Sequence, residues 1–195
     1  MSKALATRHN ILQKAFEMIY LKGYQATSID EIIATTAVTK GAFFYHFKNK
    51  EEMGLAMIKE VMYPGMQPYM INALGKHDDV LEDIYQMIKG LLFSTPFFKV
   101  EYGCPAVNLV DEMAPLNESF KKALTALMLQ WQQAIEEHLK KAQLEGQINE
   151  AHNPKQIAMF ITVNYSGIRN IGKAFGRESY IEFLKQFKNY LYSLK

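Results

Sequence analysis

A hydrophobic repeat of about 3.6 residues runs along almost the whole chain, and signals of the period of two that a half-buried strand requires are nearly absent. That pattern restricts the fold to helices packed on helices. Ile11, Leu12, Ala15, Phe16, Ile19 and Tyr20 share one face of a first helix, which Gly23 ends because glycine enters the left-handed region at little cost. Thr27-Ser28-Ile29-Asp30 has the form of a capping box opening a short helix with Ile29, Ile32 and Ile33 inward. A third short helix is predicted from Thr39 to Phe47, and Asn49-Lys50-Glu51-Glu52 caps a long fourth one through Met53, Ala56, Met57 and Val61. Pro64 is expected to kink or break it, since proline lacks the N–H a helix interior needs, and Gly65 and Pro68 keep that region bent.

Further helices follow. One after His77-Asp78-Asp79 carries Leu81, Ile84, Tyr85, Ile88, Leu91 and Leu92, with the aspartates read as first-turn caps, not as metal ligands with Asp83. Two prolines and a glycine make Ser94–Pro105 a loop. Helices are then predicted over Ala106–Met113, over Asn117–Leu144 up to Gly146, and from the Asn153-Pro154 cap to Ala174. A last one carries Tyr180, Phe183, Leu184, Phe187 and Leu191. The expectation is an all-α chain of about nine helices: a three-helix helix-turn-helix head over residues 1–49 and a larger helical body over 50–195.

Charge separates these parts. The chain of 195 residues has a net charge of +2, yet through Lys50 seven Lys and Arg stand against three Asp and Glu, leaving the body at −2. A basic head suits a polyanion. Within it, the tight connection Thr36-Ala37-Val38 joins two short helices, the arrangement in which the second helix enters a DNA major groove. At about 100° per residue, Phe43 and Phe47 face the core, while Gly41, Ala42, Tyr45 and His46 lie opposite. Thr39 and Lys40 occupy the first turn, where backbone N–H groups also meet phosphates. Lys40 can reach a guanine edge or a phosphate, small Gly41 and Ala42 let the helix sit deep, and Lys48 and Lys50 flank it with charge.

The run Thr39-Lys40-Gly41-Ala42-Phe43-Phe44-Tyr45-His46-Phe47-Lys48-Asn49-Lys50-Glu51-Glu52 closely resembles the recognition-helix signature of TetR-family regulators, and the resemblance covers Leu5–Met53. It implies a homodimer that binds a palindromic operator in double-stranded DNA and is released by a small-molecule effector. The implied DNA contacts are Thr27, Thr39, Lys40, Gly41, Ala42, Phe44, Tyr45, His46, Lys48 and Lys50. The family usually has tyrosine where this chain has Phe44, so a phenolic contact is replaced by one that can pack on a thymine methyl or on the head.

The body is rich in aromatic residues and methionine. An apolar effector pocket is expected from Met87, Leu91, Phe97, Tyr102, Cys104, Asn108, Met128, Trp131 and Tyr165. Cys104 precedes a helix and is read first as a small buried hydrophobe, second as an electrophile or redox sensor, with a thiol enzyme as a remote alternative. Regulation without a small molecule is the other alternative. Ile157, Phe160, Ile161, Gly167 and Ile168, with Phe183, Leu184, Phe187 and Leu191, are assigned to the dimer interface. No phosphate loop, serine elbow, carboxylate pair or metal-ligand spacing of His9, His138 and His152 is found, so neither enzyme activity, cofactor nor metal is expected. One cysteine, no apolar leader and no apolar run near ~20 residues point to the cytoplasm, without a membrane partner.

Overall fold

The computed structural model describes residues 2–95 and 98–195, and every regular element in them is helical. Helices α1 (Lys3–Lys22), α2 (Ile29–Ala34) and α3 (Lys40–His46) form the head. Helix α4 begins as Lys50–Met57, loosens into a π-helical turn over Ile58–Met62 and resumes as Tyr63–Met70. Then come α5 (Val80–Phe93), α6 (Pro105–Met113), α7 (Glu118–Leu144), α8 (Pro154–Phe175) and α9 (Glu178–Tyr192). Nine helices in the described residues match the expected architecture.

Helix starts are fixed locally. The side chains of Ser2, Thr39, Asn49, Asp79 and Asn153 each accept a first-turn N–H that would otherwise lack a partner. The capping box of α2 sits one residue later than the sequence suggested. Ser28 Oγ accepts from Glu31 N–H at 3.2 Å while the Glu31 carboxylate accepts the Ser28 N–H at 2.8 Å. Thr27 is instead buried and donates its hydroxyl to the Gly23 carbonyl at 2.7 Å. Pro64 does not break α4. In the π turn just ahead, the Tyr63 N–H reaches back to the Ile58 carbonyl, five residues away. The extra residue makes room for the proline ring, and the helix continues.

The chain forms two compact units. The first holds the residues up to Gly65 together with Pro105–Ala126. Its core takes Ile11, Leu12 and Ala15 from α1, Ile32 from α2, Phe43 from α3, Met53 and Met57 from α4, and Phe120 and Leu124 from α7. Burying each large side chain contributes roughly 1.5–3 kcal/mol. Arg8 pins α1 to its neighbours: its guanidinium lies 4.4 Å from the Phe47 ring, donates to the His46 carbonyl at 3.1 Å and pairs with Glu60 at 2.6 Å. Glu112 on α6 accepts the N–H groups of Tyr24 at 2.8 Å and Gln25 at 2.7 Å, holding the turn after α1.

The second unit holds Met66–Cys104 and Leu127–Lys195. Its core joins Ile84, Met87, Ile88 and Leu91 of α5, Trp131, Ile135 and Leu139 of α7, Ile157, Ile161 and Tyr165 of α8, and Tyr180, Leu184 and Phe187 of α9. Asp79 caps α5, as anticipated, whereas Asp83 is buried and does something else. It accepts the N–H groups of Gly75, Lys76 and His77, and its oxygens lie 2.9 Å from His77 Nδ1 and 2.8 Å from His138 Nε2. Burial alone would raise its pKa, but these partners outweigh it and hold the carboxyl below its ordinary value.

Gly54 decides how tightly α4 packs. A Cβ there would stand 2.6 Å from Phe120 and 2.8 Å from Tyr24, whose rings meet edge to face at 4.8 Å. Gly54→Ala should therefore destabilise by about 1–3 kcal/mol through overpacking, although an unhindered helical Gly→Ala change stabilises by roughly 0.5–1 kcal/mol. A denaturant titration that found the variant more stable would contradict this packing.

Candidate functional site

Helices α2 and α3 both pack on α1 and are joined by a five-residue connection, Thr35 N–H donating to Ile32 O and Thr36 N–H to Ile33 O. Phe43 and Phe47 are buried, which turns Lys40, Gly41, Phe44 and Tyr45 outward on one face of α3. Tyr45 is 78% exposed and Phe44 46%. Aromatic rings left so open on a folded surface mark a contact face. Ala42 and His46 are half-buried at its margins, and Lys48 is exposed just beyond. The Thr39 hydroxyl accepts the Ala42 N–H at 3.2 Å, and its own proton remains available to a phosphate.

The basic residues separate into two kinds. Lys40 pairs with Asp30 on α2 at 2.9 Å, both side chains well exposed, so a phosphate can replace the aspartate at little cost. Lys50 is turned inward, 4.3 Å from the Tyr24 ring and donating to the Gln25 carbonyl at 3.4 Å. Burial lowers its pKa, against the pull of Glu112 and Glu31. Burial, then Glu51 and Glu112, push the Tyr24 phenol up to about 12. Of the expected contacts, Thr39, Lys40, Gly41, Phe44 and Tyr45 share the open face, Lys50 is withdrawn, and buried Thr27 holds a turn instead. Sequence patterns gave no sign that Asp30 pairs with Lys40, that Arg8 pins α1 or that Glu112 holds the turn after it.

In the second unit, the Trp131 and Tyr165 rings meet edge to face at 5.1 Å and Cys104 lies beside Tyr165. Arg169 and Tyr180, absent from the sequence-derived set, join this group. Met87 and Leu91 are buried on α5, and Tyr102 and Met128 are half-buried. Asn108 belongs to the first unit, and Phe97 lies outside the described residues. Ile157, Ile161, Ile168, Leu184, Phe187 and Leu191 are buried within the subunit, and Phe183 stacks on Phe187 at 5.4 Å. Phe160 and Gly167 are exposed on α8.

A helix-turn-helix with an open, capped second helix defines a DNA-binding protein. Family models agree: one described as bacterial regulatory proteins, tetR family, matches residues 11–57, and one described as tetracyclin repressor-like, C-terminal domain, matches residues 84–187. The chain belongs to the TetR family and is a DNA-binding transcriptional regulator. An uncharacterized HTH-type transcriptional regulator in the lacX 3′ region of Lactococcus lactis subsp. lactis is 35% identical, over 68% of each chain. The HTH-type transcriptional repressor DhaR of Mycobacterium sp. strain GP1 is 22% identical over 82% of this chain and 79% of its own length. The crystal structure of a TetR-family transcriptional regulator from Cytophaga hutchinsonii has the same fold, with a TM-score of 0.90, covering all of this chain and 98% of that one at 19% identity.

Two outcomes follow from the head's electrostatics. Asp30→Asn frees Lys40 and should tighten binding to duplex DNA by about two- to fivefold, an advantage that shrinks as salt rises; equal affinity at low salt would show the pair to be irrelevant. Glu31, held down to about 2 by its bonds to Lys22 and Ser28, supports α2 at any pH above the ordinary glutamate range. That support is lost only as pH falls toward about 2. Helicity of the head, followed by circular dichroism, should thus lose this contribution below the usual range, and Glu31→Gln should abolish that step.

Proposed function

We propose that the protein is a dimeric repressor that leaves a palindromic operator when a small molecule enters its helical body. The observation that carries this reading is the open α3 face of Lys40, Gly41, Phe44 and Tyr45 behind the Thr39 cap. Residues 1–49 serve as the DNA-binding head and 50–195 as the ligand-binding and dimerisation body. Lys40, Gly41 and Tyr45 contact bases or phosphates; Thr39, His46 and Lys48 contact phosphates; Ala42 lets the helix approach; and Phe44 packs against the groove wall. Lys50 reaches DNA only by leaving Tyr24.

Burial also supports a dimer surface different from most of the residues the sequence singled out. Met159, Val163, Gly167, Ile171 and Phe175 recur at every fourth position of α8 and are exposed, with Phe160 beside them. Nothing lies within 4 Å of a Cβ built on Gly167, so a second helix can approach closely there. Such a row is the ridge used when like helices cross, and a two-fold pair presents two recognition helices to a palindrome. Cys104, Trp131 and Tyr165 line the effector site, and the π turn at Ile58–Met62 is the point where α4 yields. The protein acts on DNA in the cytoplasm as a regulator and not as an enzyme.

Selection from random duplex DNA, followed by binding and sedimentation measurements, tests this reading. The selected site should be palindromic, and Tyr45→Ala and Lys40→Ala should each weaken binding by about tenfold. Val163→Glu should yield a folded monomer with little operator affinity. A monomeric wild-type protein bound to an asymmetric site would overturn it.

A further inference from the structure

We infer that the effector carries one negative charge, a carboxylate, received by Arg169 with the hydroxyls of Tyr165 and Tyr180. This rests on the reading of the second unit as an effector-binding body.

Arg169 on α8 has no exposed surface. Its Nη2 donates to the carbonyls of Lys99, at 3.3 Å, and Gly103. The Phe98 and Tyr180 rings lie 5.2 and 5.6 Å from the guanidinium carbon. Nε and Nη1, which carry three of the five guanidinium N–H bonds, donate to nothing. No ion pair among the described residues includes Arg169, and the only other buried charged side chain among them, Asp83, is held by the Gly75–His77 N–H groups, His77 and His138. A buried guanidinium that faces carbonyl dipoles and rings with no carboxylate bonded to it is costly, which favours a counter-charge that arrives from outside.

The neighbours share this deficit. The Tyr180 hydroxyl and the Trp131 indole N–H are buried and unpartnered, and the buried Tyr165 hydroxyl has only the Cys104 thiol beside it. Burial raises the pKa of both phenols, against the pull of Arg169, with Cys104 and, at Tyr180, Glu101 adding to the effect, so they remain protonated and able to donate. Donors outnumber acceptors here, the Lys99 and Gly103 carbonyls both being taken by Arg169 Nη2, which favours a ligand that only accepts. Arg169 supplies one positive charge in largely aromatic surroundings, so a monoanion is neutralised where a dianionic phosphate is not. Two glycines build the cluster. A Cβ on Gly172 would collide with the Tyr180 ring, and Gly103, at φ +68°, brings its carbonyl against Arg169 where any side chain would meet Lys173.

Trp131 is the only tryptophan and lies 5.1 Å from Tyr165, so its fluorescence reports occupancy. The intact protein is titrated with acetate, butyrate and benzoate, with butyramide and benzamide as neutral matches, and with inorganic phosphate. At least one carboxylate should produce a saturable change, its amide should bind about tenfold more weakly, and phosphate should produce none. Arg169→Met should lose the response at unchanged helicity. Tyr180→Phe, which removes one hydroxyl, should weaken it by about threefold to tenfold and carries the test if the methionine variant does not fold. Equal binding of acid and amide, preference for phosphate, an undiminished response in both variants, or no response to any carboxylate at about 10 mM overturns the inference. An Arg169-dependent carboxylate response that leaves operator affinity unchanged upholds the carboxylate site and removes the effector reading instead.

Discussion

The turn between α1 and α2 sets the direction of everything that meets DNA, and its backbone is satisfied from far along the chain. The Glu112 carboxylate takes the N–H groups of Tyr24 and Gln25, and a Cβ on Gly23 would stand only 3.1 Å from it. Thr27 closes the same turn from the other side through the Gly23 carbonyl. Tyr24 then packs on Phe120, and both rings lie against Gly54. Helix α3 is thus oriented by its own apolar face and also by α6 and the first turns of α7. The helix-turn-helix is a local motif held in a non-local frame.

This arrangement changes what the basic charge of the head means. Of its cations, Arg8, Lys14 and Lys22 pair with Glu60, Glu17 and Glu31, and Lys50 lies over Tyr24. Much of the positive excess therefore serves folding. What α3 presents is a short helix with a capped N-terminus, one cation in an easily exchanged pair, and two exposed rings. Such a face gains little from bulk charge and more from fitted contacts with sugar, phosphate and base edge.

Much of the fold was legible because its signals are local. Gly23, Thr39, Asn49 and the Asn153-Pro154 pair each stop or start a helix by chemistry that a few neighbouring residues contain. The errors have non-local causes. Thr27 and Ser28 compete for one cap, and the Gly23 carbonyl decides between them. Pro64 reads as a break unless the preceding turn widens. Helix α8 is apolar on two faces, and only the packed structure shows that Ile157, Ile161 and Ile168 turn inward while Met159, Val163 and Ile171 turn out. Arg169 and Asp83 are buried, and nothing in a helical repeat announces that a charge is buried.

The same two buried charges show how a stable core and a responsive one differ. Asp83 is fully engaged: three backbone N–H groups and two imidazoles surround it, and the Gly75–His77 segment is fixed in consequence. Arg169 is engaged on one nitrogen, by carbonyls of the segment that ends at Gly103. Two residues later Pro105 opens α6, the helix whose Glu112 holds the turn after α1. On the proposed reading, a carboxylate that draws on Arg169 weakens its hold on those carbonyls, and the strain passes along a short covalent path to α6. An arginine already satisfied by an internal acid would have no such leverage, because a ligand shifts an equilibrium only by binding its two states unequally. The incomplete pairing of Arg169 is therefore the property that would make the second unit responsive.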